Sequence, residues 1–276
     1  MAAAPNKRRK PQPPKTETIG KKIKKSRKSK TQNSVEKKSE DEITVGGRTD
    51  GDAVQRATAS QQLSFFINQF QSANSVQLSS LELESLKETC IVELSQDTSQ
   101  NISGKLEEHV KVSFGSSWKE VLCGKHLQEG KIQPGSPAVL VISSSALRSL
   151  ELLRELRSLT KECHAAKLFS KHMKIEEQVV SILKNRVNIA SGTPSRIKKL
   201  INMEALGMSR LALIVLDMYT DVKGYSLFTL PQIRDEFWDL YKSYLHKKLL
   251  EGDLRLCLYG PLPTSSKAKK KKPVMT

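Results

Sequence analysis

The chain has 276 residues, of which 37% are hydrophobic, and a formal net charge of +17. No apolar run approaches the ~18 residues needed to span a bilayer, and the N-terminus lacks the hydrophobic core of a secretory signal, so neither is expected. Residues 1–30 hold 12 Lys and Arg residues and one acid, and residues 266–276 hold five Lys residues and no acid. The charge is therefore expected in two unfolded tails, because segments this basic bury too little apolar surface to fold.

Two basic clusters in residues 1–30 are arranged like a bipartite nuclear import signal. They are separated by a ten-residue, Pro-rich spacer, and they comprise Lys7, Arg8, Arg9 and Lys10, then Lys21, Lys22, Lys24 and Lys25. Acidic grooves bind such clusters as extended peptides, so a nuclear import receptor is an expected partner. The same charges suit an RNA-binding arm without sequence preference, and both roles can coexist. Residues 31–58 are polar and aperiodic, which predicts a linker.

Apolar residues at helical spacing predict three helices in residues 59–122. The first contains Leu63, Phe66 and Phe70, the second covers residues 78–94, and the third runs from about residue 106 to residue 122. Ser79 and Glu82 have the spacing of a helix-capping pair. An apolar stripe normally faces a core, so we interpret these helices as packing elements.

From residue 138 onward, strand and helix patterns alternate five times. The strands are predicted at residues 138–142, 166–169, 187–190, 211–216 and 254–258. Continuous apolar runs are typical of strands that are covered on both faces. In the helix after the first strand, the predicted inner face contains Leu147, Leu150, Leu153 and Leu156, and Arg148 is predicted to lie outside. The alternation predicts an α/β fold with one parallel sheet, whose ligands meet the carboxyl ends of the strands.

The turn after the third predicted strand has residues that suit an anion. Gly192 permits a sharp exit, Thr193 is a good N-cap, and Pro194 fits the first helical turn. The first-turn N–H groups have no intrahelical partners and lie at the positive end of the helix dipole, so a phosphate is a natural ligand. Arg196 and Lys198 add full charges. The alternative is that Gly-Thr-Pro is an ordinary connection between a strand and a helix.

The cysteines and histidines form no pattern of a metal site or a hydrolase. No Cys-x-x-Cys pair and no His at zinc spacing occurs near Cys90, Cys123, Cys163 or Cys257. Reduced, mostly buried thiols are therefore expected. None of the five His residues accompanies an acid and a nucleophile in a recognisable triad. The sequence predicts neither a metal site nor a cofactor.

Four segments of the predicted strand edge resemble motifs of the first RecA-like domain of DEAD-box RNA helicases. Residues 140–147, 190–196, 215–221 and 258–261 follow the order of the Pro-Thr-Arg-Glu-Leu, Thr-Pro-Gly-Arg, Asp-Glu-Ala-Asp and Ser-Ala-Thr motifs. More closely, residues 138–262 resemble the Cms-type family of ribosomal small-subunit biogenesis proteins, which are degenerate relatives of that domain. The resemblance implies a RecA-like domain over residues 59–262 with a helical lead-in, between tails at residues 1–58 and 263–276. It also implies residence in the nucleus and nucleolus, with pre-ribosomal RNA and assembly proteins as partners.

The residues for ATP hydrolysis depart from the helicase pattern. The sequence contains no G-x-x-x-x-G-K-[ST] loop, and its nearest fragment, Gly124-Lys125, lacks the other required residues. Asp217 stands where a helicase Asp would hold the metal, but Met218 replaces the Glu, and Tyr219 and Thr220 complete the degenerate box. A thioether cannot position or deprotonate water. One RecA-like domain is predicted where a helicase closes two, so a non-hydrolysing pseudo-helicase is expected.

In the helicases that this domain resembles, two of these motifs contact the RNA backbone. The resemblance therefore implies RNA contacts at four positions: Ser144, Ser145, Thr193 and Arg196. The first motif has lost its Pro, Arg and Glu, and Ser195 replaces a Gly, so the basic tails are the stronger candidates for RNA binding. The main hypothesis is a non-catalytic nucleolar factor that binds pre-ribosomal RNA, assembly proteins or both. Two alternatives remain open. One is a weak or partner-activated NTPase with a non-standard phosphate loop, and the other is a basic-tailed protein-interaction domain without an RNA site in its fold.

Overall fold

The computed structural model describes residues 57–93, 106–123, 132–161 and 163–263. The chain divides into two units, Met1–Asp52 and Ala53–Thr276, and all described residues belong to the second. The predicted nuclear signal, the C-terminal tail after Pro263 and the Gly124-Lys125 fragment lie outside the described residues. Among the helices that are described, none is both long and apolar enough to cross a membrane.

Five parallel strands form the centre of the described unit, in the order β2-β3-β1-β4-β5. The strands are β1 Val139–Ile142, β2 Ala166–Leu168, β3 Ile189–Gly192, β4 Leu213–Asp217 and β5 Arg255–Tyr259. Every residue of β1 and β4 is buried, as continuous apolar runs predict for strands covered on both faces. The predicted α/β fold class, a parallel sheet flanked by helices, is confirmed.

Nine α-helices surround this sheet in the part of the chain that the structure describes. They are α1 Ala59–Asn74, α2 Ser80–Ser85, α3 Leu106–Phe114, α4 Trp118–Cys123, α5 Ala146–Glu155, α6 Ile175–Lys184, α7 Pro194–Asn202, α8 Pro231–Leu240 and α9 His246–Leu250. A π-helical turn, Tyr241–Leu245, joins α8 to α9. Alternate residues of the strands point to opposite faces, so the buried side chains form two clusters. One cluster includes residues of α1, α7 and α8, and the other includes residues of α3 and α5.

Aromatic side chains hold α1 against α8. The α1 helix begins with a capping box between Thr58 and Gln61. Phe66 and Phe70 each lie 5.4 Å from the ring of Trp238 and within 5.3 Å of the ring of Tyr241. Each such pair contributes about 0.5–1.5 kcal/mol beyond its buried area. The first predicted helix is therefore confirmed, and its apolar stripe packs as expected.

The predicted second helix is wrong beyond Ser85. The α2 helix ends there, a short 3-10 turn follows at Glu88–Cys90, and Ile91 forms a parallel bridge with Leu256 of β5. The backbone N–H of Val92 donates to Leu256 O at 2.8 Å. The β-branched residues Ile91 and Val92 suit this extended chain, which pairs backbone groups at the outer side of β5. The predicted third helix is also divided, because Gly115 has a φ of 55° between α3 and α4.

Two local predictions around the strands change with the tertiary structure. Gly192 is the last residue of β3 and not part of the exit turn, and a Cβ atom there would lie 2.0 Å from Leu168 O of β2. Glycine is therefore required by the close approach of two strands.

On α5, Leu147 is 59% exposed while Ser149 is fully buried, so the inner face differs from the predicted one. Ser149 is buried at no polar cost because its hydroxyl donates to Ser145 O and contacts Ser143 Oγ.

Candidate functional site at the carboxyl edge of the sheet

The parallel register brings the four predicted segments to one edge of the sheet. Ile142 at the end of β1 is aligned with Gly192 of β3 and with Leu216 of β4. Asp217 at the end of β4 is aligned with Tyr259 of β5. The residues that follow these positions therefore lie along the carboxyl edge, where ligands of open parallel sheets bind.

The serine segment after β1 is organised around the start of α5. Ser145 is the N-cap of α5, and its Oγ accepts a hydrogen bond from Arg148 N at 3.2 Å. Ser143 is buried, and its hydroxyl donates to Ser149 Oγ at 2.7 Å, because the Ser149 hydroxyl donates to Ser145 O. Ser144 is half-buried and Ser145 is exposed. Because the cap uses the Ser145 oxygen as an acceptor, its O–H can still donate to an external phosphate.

An ion pair between Arg148 and Asp217 lies at the centre of the edge. Arg148 Nε donates to Asp217 Oδ2 at 2.9 Å, and Arg148 Nη2 donates to Oδ1 at 3.1 Å. The Asp217 side chain is only 1% exposed, whereas that of Arg148 is 23% exposed. Both carboxylate oxygens are thus occupied by one planar guanidinium, the strongest arrangement for such a pair.

The charges of this pair depend on each other. Burial raises the pKa of Asp217 above its ordinary value, and the hydrogen bonds and charge of Arg148 counteract that rise. Burial alone would lower the pKa of Arg148, but its hydrogen bonds to Asp217 and the Asp217 charge outweigh burial and raise it. A carboxylate this deeply buried needs a compensating cation, and Arg148 supplies it.

Aromatic side chains pack beside the Arg148 guanidinium of the ion pair. The Arg148 guanidinium lies 4.8 Å from the ring centre of Tyr219, which makes an edge contact with Tyr259 at 5.7 Å. The Tyr259 hydroxyl donates to Glu155 Oε2 at 2.7 Å. Tyr219 also packs on Gly260, where a Cβ atom would lie 2.9 Å from the ring. These contacts hold the Tyr219 ring against the Arg148 guanidinium.

The other residues of the degenerate box differ in exposure. Met218 is 2% exposed and belongs to the hydrophobic core, whereas Thr220 is exposed. The Met218 thioether is therefore a packing residue that supplies no polar group to the edge.

The start of α7 places the predicted anion-binding residues beside β2. Thr193 is the N-cap and Pro194 opens the helix, but the Thr193 side chain makes no capping hydrogen bond. Arg196 Nη1 donates to Gln178 Oε1 at 2.7 Å and to Met173 O at 3.3 Å. Arg196 is therefore held in one orientation by the segment that follows β2 and by α6.

Lys198 lies apart from these residues. Its Nζ forms an ion pair with Asp239 Oδ2 of α8 at 2.5 Å, so its charge is directed to the neighbouring helix. The structure thus brings Ser144, Ser145, Thr193 and Arg196 to the edge and assigns Lys198 a contact with α8.

Arg148 was missed by the sequence analysis, which placed it on the outer face of its helix. Two signals could have indicated it. Asp217 follows a fully apolar strand and must be buried there, so it needs a cation. Arg148 lies in the first turn after the adjacent strand, and it is the basic residue nearest to the end of β1.

One protein-family model matches most of the chain. The model of a family described as "CMS1: U3-containing 90S pre-ribosomal complex subunit" matches residues 5–259. Protein CMSS1 of Danio rerio is 32% identical over 147 residues, which cover 52% of this chain and 50% of that protein. Protein CMSS1 of Xenopus laevis is 31% identical over 182 residues, which cover 65% of this chain and 61% of that protein. The chain spans about half the length of the first of these relatives.

Two solved structures are similar to part of the chain. A DEAD box protein from the hyperthermophile Methanococcus jannaschii is similar over 44% of this chain and 30% of its own, with 21% identity and a TM-score of 0.30. The S. cerevisiae protein dbp5, in its complex with nup159 and gle1, is similar over 73% of this chain and 47% of its own, with 14% identity and a TM-score of 0.35.

Proposed function

The chain belongs to the CMS1 family of U3-containing 90S pre-ribosomal complex subunits, and from this membership we propose that it is a non-catalytic nucleolar factor of small-subunit biogenesis. Its partners in this proposal are pre-ribosomal RNA and assembly proteins. The family supports the place in ribosome assembly, and the geometry of the strand edge supports the absence of catalysis.

The single observation that carries the non-catalytic role is the pair between Arg148 and Asp217. A metal-bound nucleotide would need the Asp217 carboxylate, whose two oxygens are both bonded to Arg148. Releasing one partner of a buried ion pair costs about 3–5 kcal/mol, because the other charge stays buried and uncompensated. Met218 offers no oxygen that could position an attacking water. These features favour the scaffold over the alternative of a weak or partner-activated NTPase.

In this proposal, the basic tails make the main contact with RNA. Their 12 N-terminal and five C-terminal cations would release counterions from the RNA backbone and give binding with little sequence preference. At the strand edge, Arg196 is fixed through Nη1, while its Nε and Nη2 groups have no hydrogen-bond partner among the described residues. A planar guanidinium held in this way is suited to a phosphate. Ser144, Ser145 and Thr193 supply hydroxyl groups along the same edge.

Two experiments test the proposal. Tagged full-length chain should sediment with large particles that contain U3 RNA, and recovery only in light fractions would contradict the assembly role. In the second, Arg196→Ala is compared with Lys199→Ala, an exposed lysine of the same helix. We expect Arg196→Ala to weaken RNA binding by about 1.5–3 kcal/mol, the range for a hydrogen bond to a charged group. Equal binding by both variants would mean that the Gly-Thr-Pro turn is only a structural connection.

A further inference from the structure

Gln178 of α6 is a buried polar residue whose amide group is bonded at both of its ends. The residue is 1% exposed. Its Nε2 donates to Lys167 O at 2.8 Å and to Phe169 O at 2.9 Å, along the outer strand β2 of the sheet. Its Oε1 accepts from Arg196 Nη1 at 2.7 Å. The Gln178 side chain thus joins the backbone of β2 to the guanidinium at the start of α7.

The two carbonyls of β2 fix the direction in which the Gln178 amide points. An NH2 group has two hydrogens to donate, whereas a carbonyl oxygen can only accept. In the reversed orientation, Oε1 would face Lys167 O and Phe169 O, and the NH2 group would face the N–H donors of Arg196. Both contacts would then be lost. The Oε1 atom is therefore directed toward Arg196 by the backbone of a strand.

A second acceptor for the same Arg196 nitrogen comes from the turn that follows β2. Met173 O accepts from Arg196 Nη1 at 3.3 Å, and Met173 N donates to Ser170 O at 3.2 Å. His172 in this turn has a φ of 59°, which is uncommon for a residue other than glycine. Such conformations persist where the surrounding structure fixes them, and they are concentrated at functional sites and ligand clamps. The turn and Gln178 together hold one end of the guanidinium.

This arrangement orients the charge of Arg196 without neutralising it. Both of its acceptors are uncharged oxygens, and no carboxylate pairs with it in the part of the chain that the structure describes. The nearby acids of α6, Glu176 and Glu177, are exposed and form no ion pair with it. A carboxylate at position 178 would compensate the cation, whereas the Gln178 amide leaves the positive charge available to an anion.

The free nitrogens of Arg196 form the edge of the guanidinium that suits a phosphate. Nη1 is occupied, so Nε and Nη2 remain. The same two nitrogens of Arg148 bind both oxygens of the Asp217 carboxylate. A guanidinium binds a phosphate through the same pair of parallel N–H groups.

We propose that Gln178 is a positioning residue, which directs the Nε and Nη2 edge of Arg196 to one phosphate of the RNA backbone. The inference rests on the proposed RNA-binding function and deepens it, because it names the residue that orients the contact. Gln178 itself is buried and does not touch RNA. Its effect on RNA binding must therefore pass through Arg196.

A double-mutant cycle on the full chain tests this dependence, with a single-stranded uridine oligonucleotide as the probe. Gln178→Met keeps the length of the side chain and removes the amide. We expect it to weaken RNA binding roughly two- to tenfold, the fold-change that corresponds to ordering one long side chain on binding. In the Arg196→Ala background, the same change should alter binding by less than about twofold. The matched control is Gln232→Met, at an exposed glutamine of α8, and it should leave binding unchanged.

Nuclear magnetic resonance relaxation of the Arg196 Nε–H group gives a readout that does not depend on RNA. The group should have the order parameter of a rigid site in the parent chain and that of a flexible side chain in Gln178→Met. A simple loss of stability would not produce this change, because the signal comes from the folded chain. Equal rigidity in both chains would overturn the proposal.

The outcomes separate this inference from the proposed function. If Arg196→Ala weakens RNA binding but Gln178→Met does not, or if Gln178→Met weakens it equally in both backgrounds, only the positioning role is overturned. If Arg196→Ala itself leaves RNA binding unchanged, the strand-edge contact of the proposed function fails, and the positioning role fails with it.

A second variant covers the case in which Gln178→Met does not fold, as judged by circular dichroism. Gln178→Asn keeps an amide but is one methylene shorter, so it cannot reach both β2 and Arg196. It should give the same loss of RNA binding and the same dependence on Arg196. Binding equal to that of the parent chain would overturn the proposal.

Discussion

Replacing Arg148 by Met should expose how much the fold depends on the ion pair at the strand edge. The variant removes the guanidinium and leaves the Asp217 carboxylate, 1% exposed, without its cation. Breaking a buried pair in this way costs about 3–5 kcal/mol. Solvent reaches 23% of the Arg148 side chain, so we expect the lower part of the range, about 3 kcal/mol. This value includes the stacking of Arg148 on Tyr219, since both interactions share one guanidinium.

The measurement is urea unfolding followed by circular dichroism, with Arg154→Met as the control. Arg154 is an exposed residue of the same helix, so its variant should stay within about 0.5 kcal/mol of the parent chain. The double variant Arg148→Met/Asp217→Leu should recover most of the stability, because an apolar pair removes the buried charge.

The pH dependence of the stability of Arg148→Met gives an independent check of the role of the ion pair. Burial raises the pKa of Asp217, and without Arg148 the pKa should rise further. The folded variant then binds a proton that the unfolded chain has already released. Its stability deficit should be larger at pH 7 than at pH 4. A deficit no larger than that of Arg154→Met, or no recovery in the double variant, would refute the role assigned to the pair.

Three further predictions concern catalysis, import and acid stability. The purified chain should release no phosphate from ATP, with or without RNA, and turnover that Asp217→Asn abolishes would contradict the scaffold. Residues 1–30 should direct a reporter to the nucleus, and the full chain should lose nuclear accumulation when Lys21, Lys22, Lys24 and Lys25 are changed to Ala; unchanged accumulation would mean that another signal dominates. Hydrogen bonds from Ser79, followed by the interaction with His246, hold the pKa of Glu82 at about 2, below its ordinary 4.5. Its stabilising effect is present above pH 4.5 and disappears toward pH 2, so Glu82→Gln should flatten acid unfolding in that window, and an unchanged acid transition would contradict this.

Much of the site could be placed from the sequence because a parallel sheet aligns the ends of its strands. Once strands were predicted at residues 138–142, 187–190 and 211–216, their following residues had to meet at one edge. The structure places Ser145, Thr193 and Asp217 there. The chemistry of each side chain was harder to predict. Arg196 was expected to face a ligand, yet one of its nitrogens is bonded to Gln178, whose position depends on how α6 packs beside β2.

The sequence by itself determined the strands, most of the described helices and the concentration of basic residues in residues 1–30 and 266–276. These features depend on the period of apolar residues and on charge density, which are local properties of the chain. The tertiary structure alone decided three others: the extended chain at Ile91, the need for Gly192, and the partner of Arg148. Each depends on a group distant in sequence, namely the backbone of β5, Leu168 O of β2 and the Asp217 carboxylate. Helical periodicity places Arg148 on the solvent-facing side of α5. Its side chain instead contacts Asp217, because the buried anion at the end of β4 needs a cation.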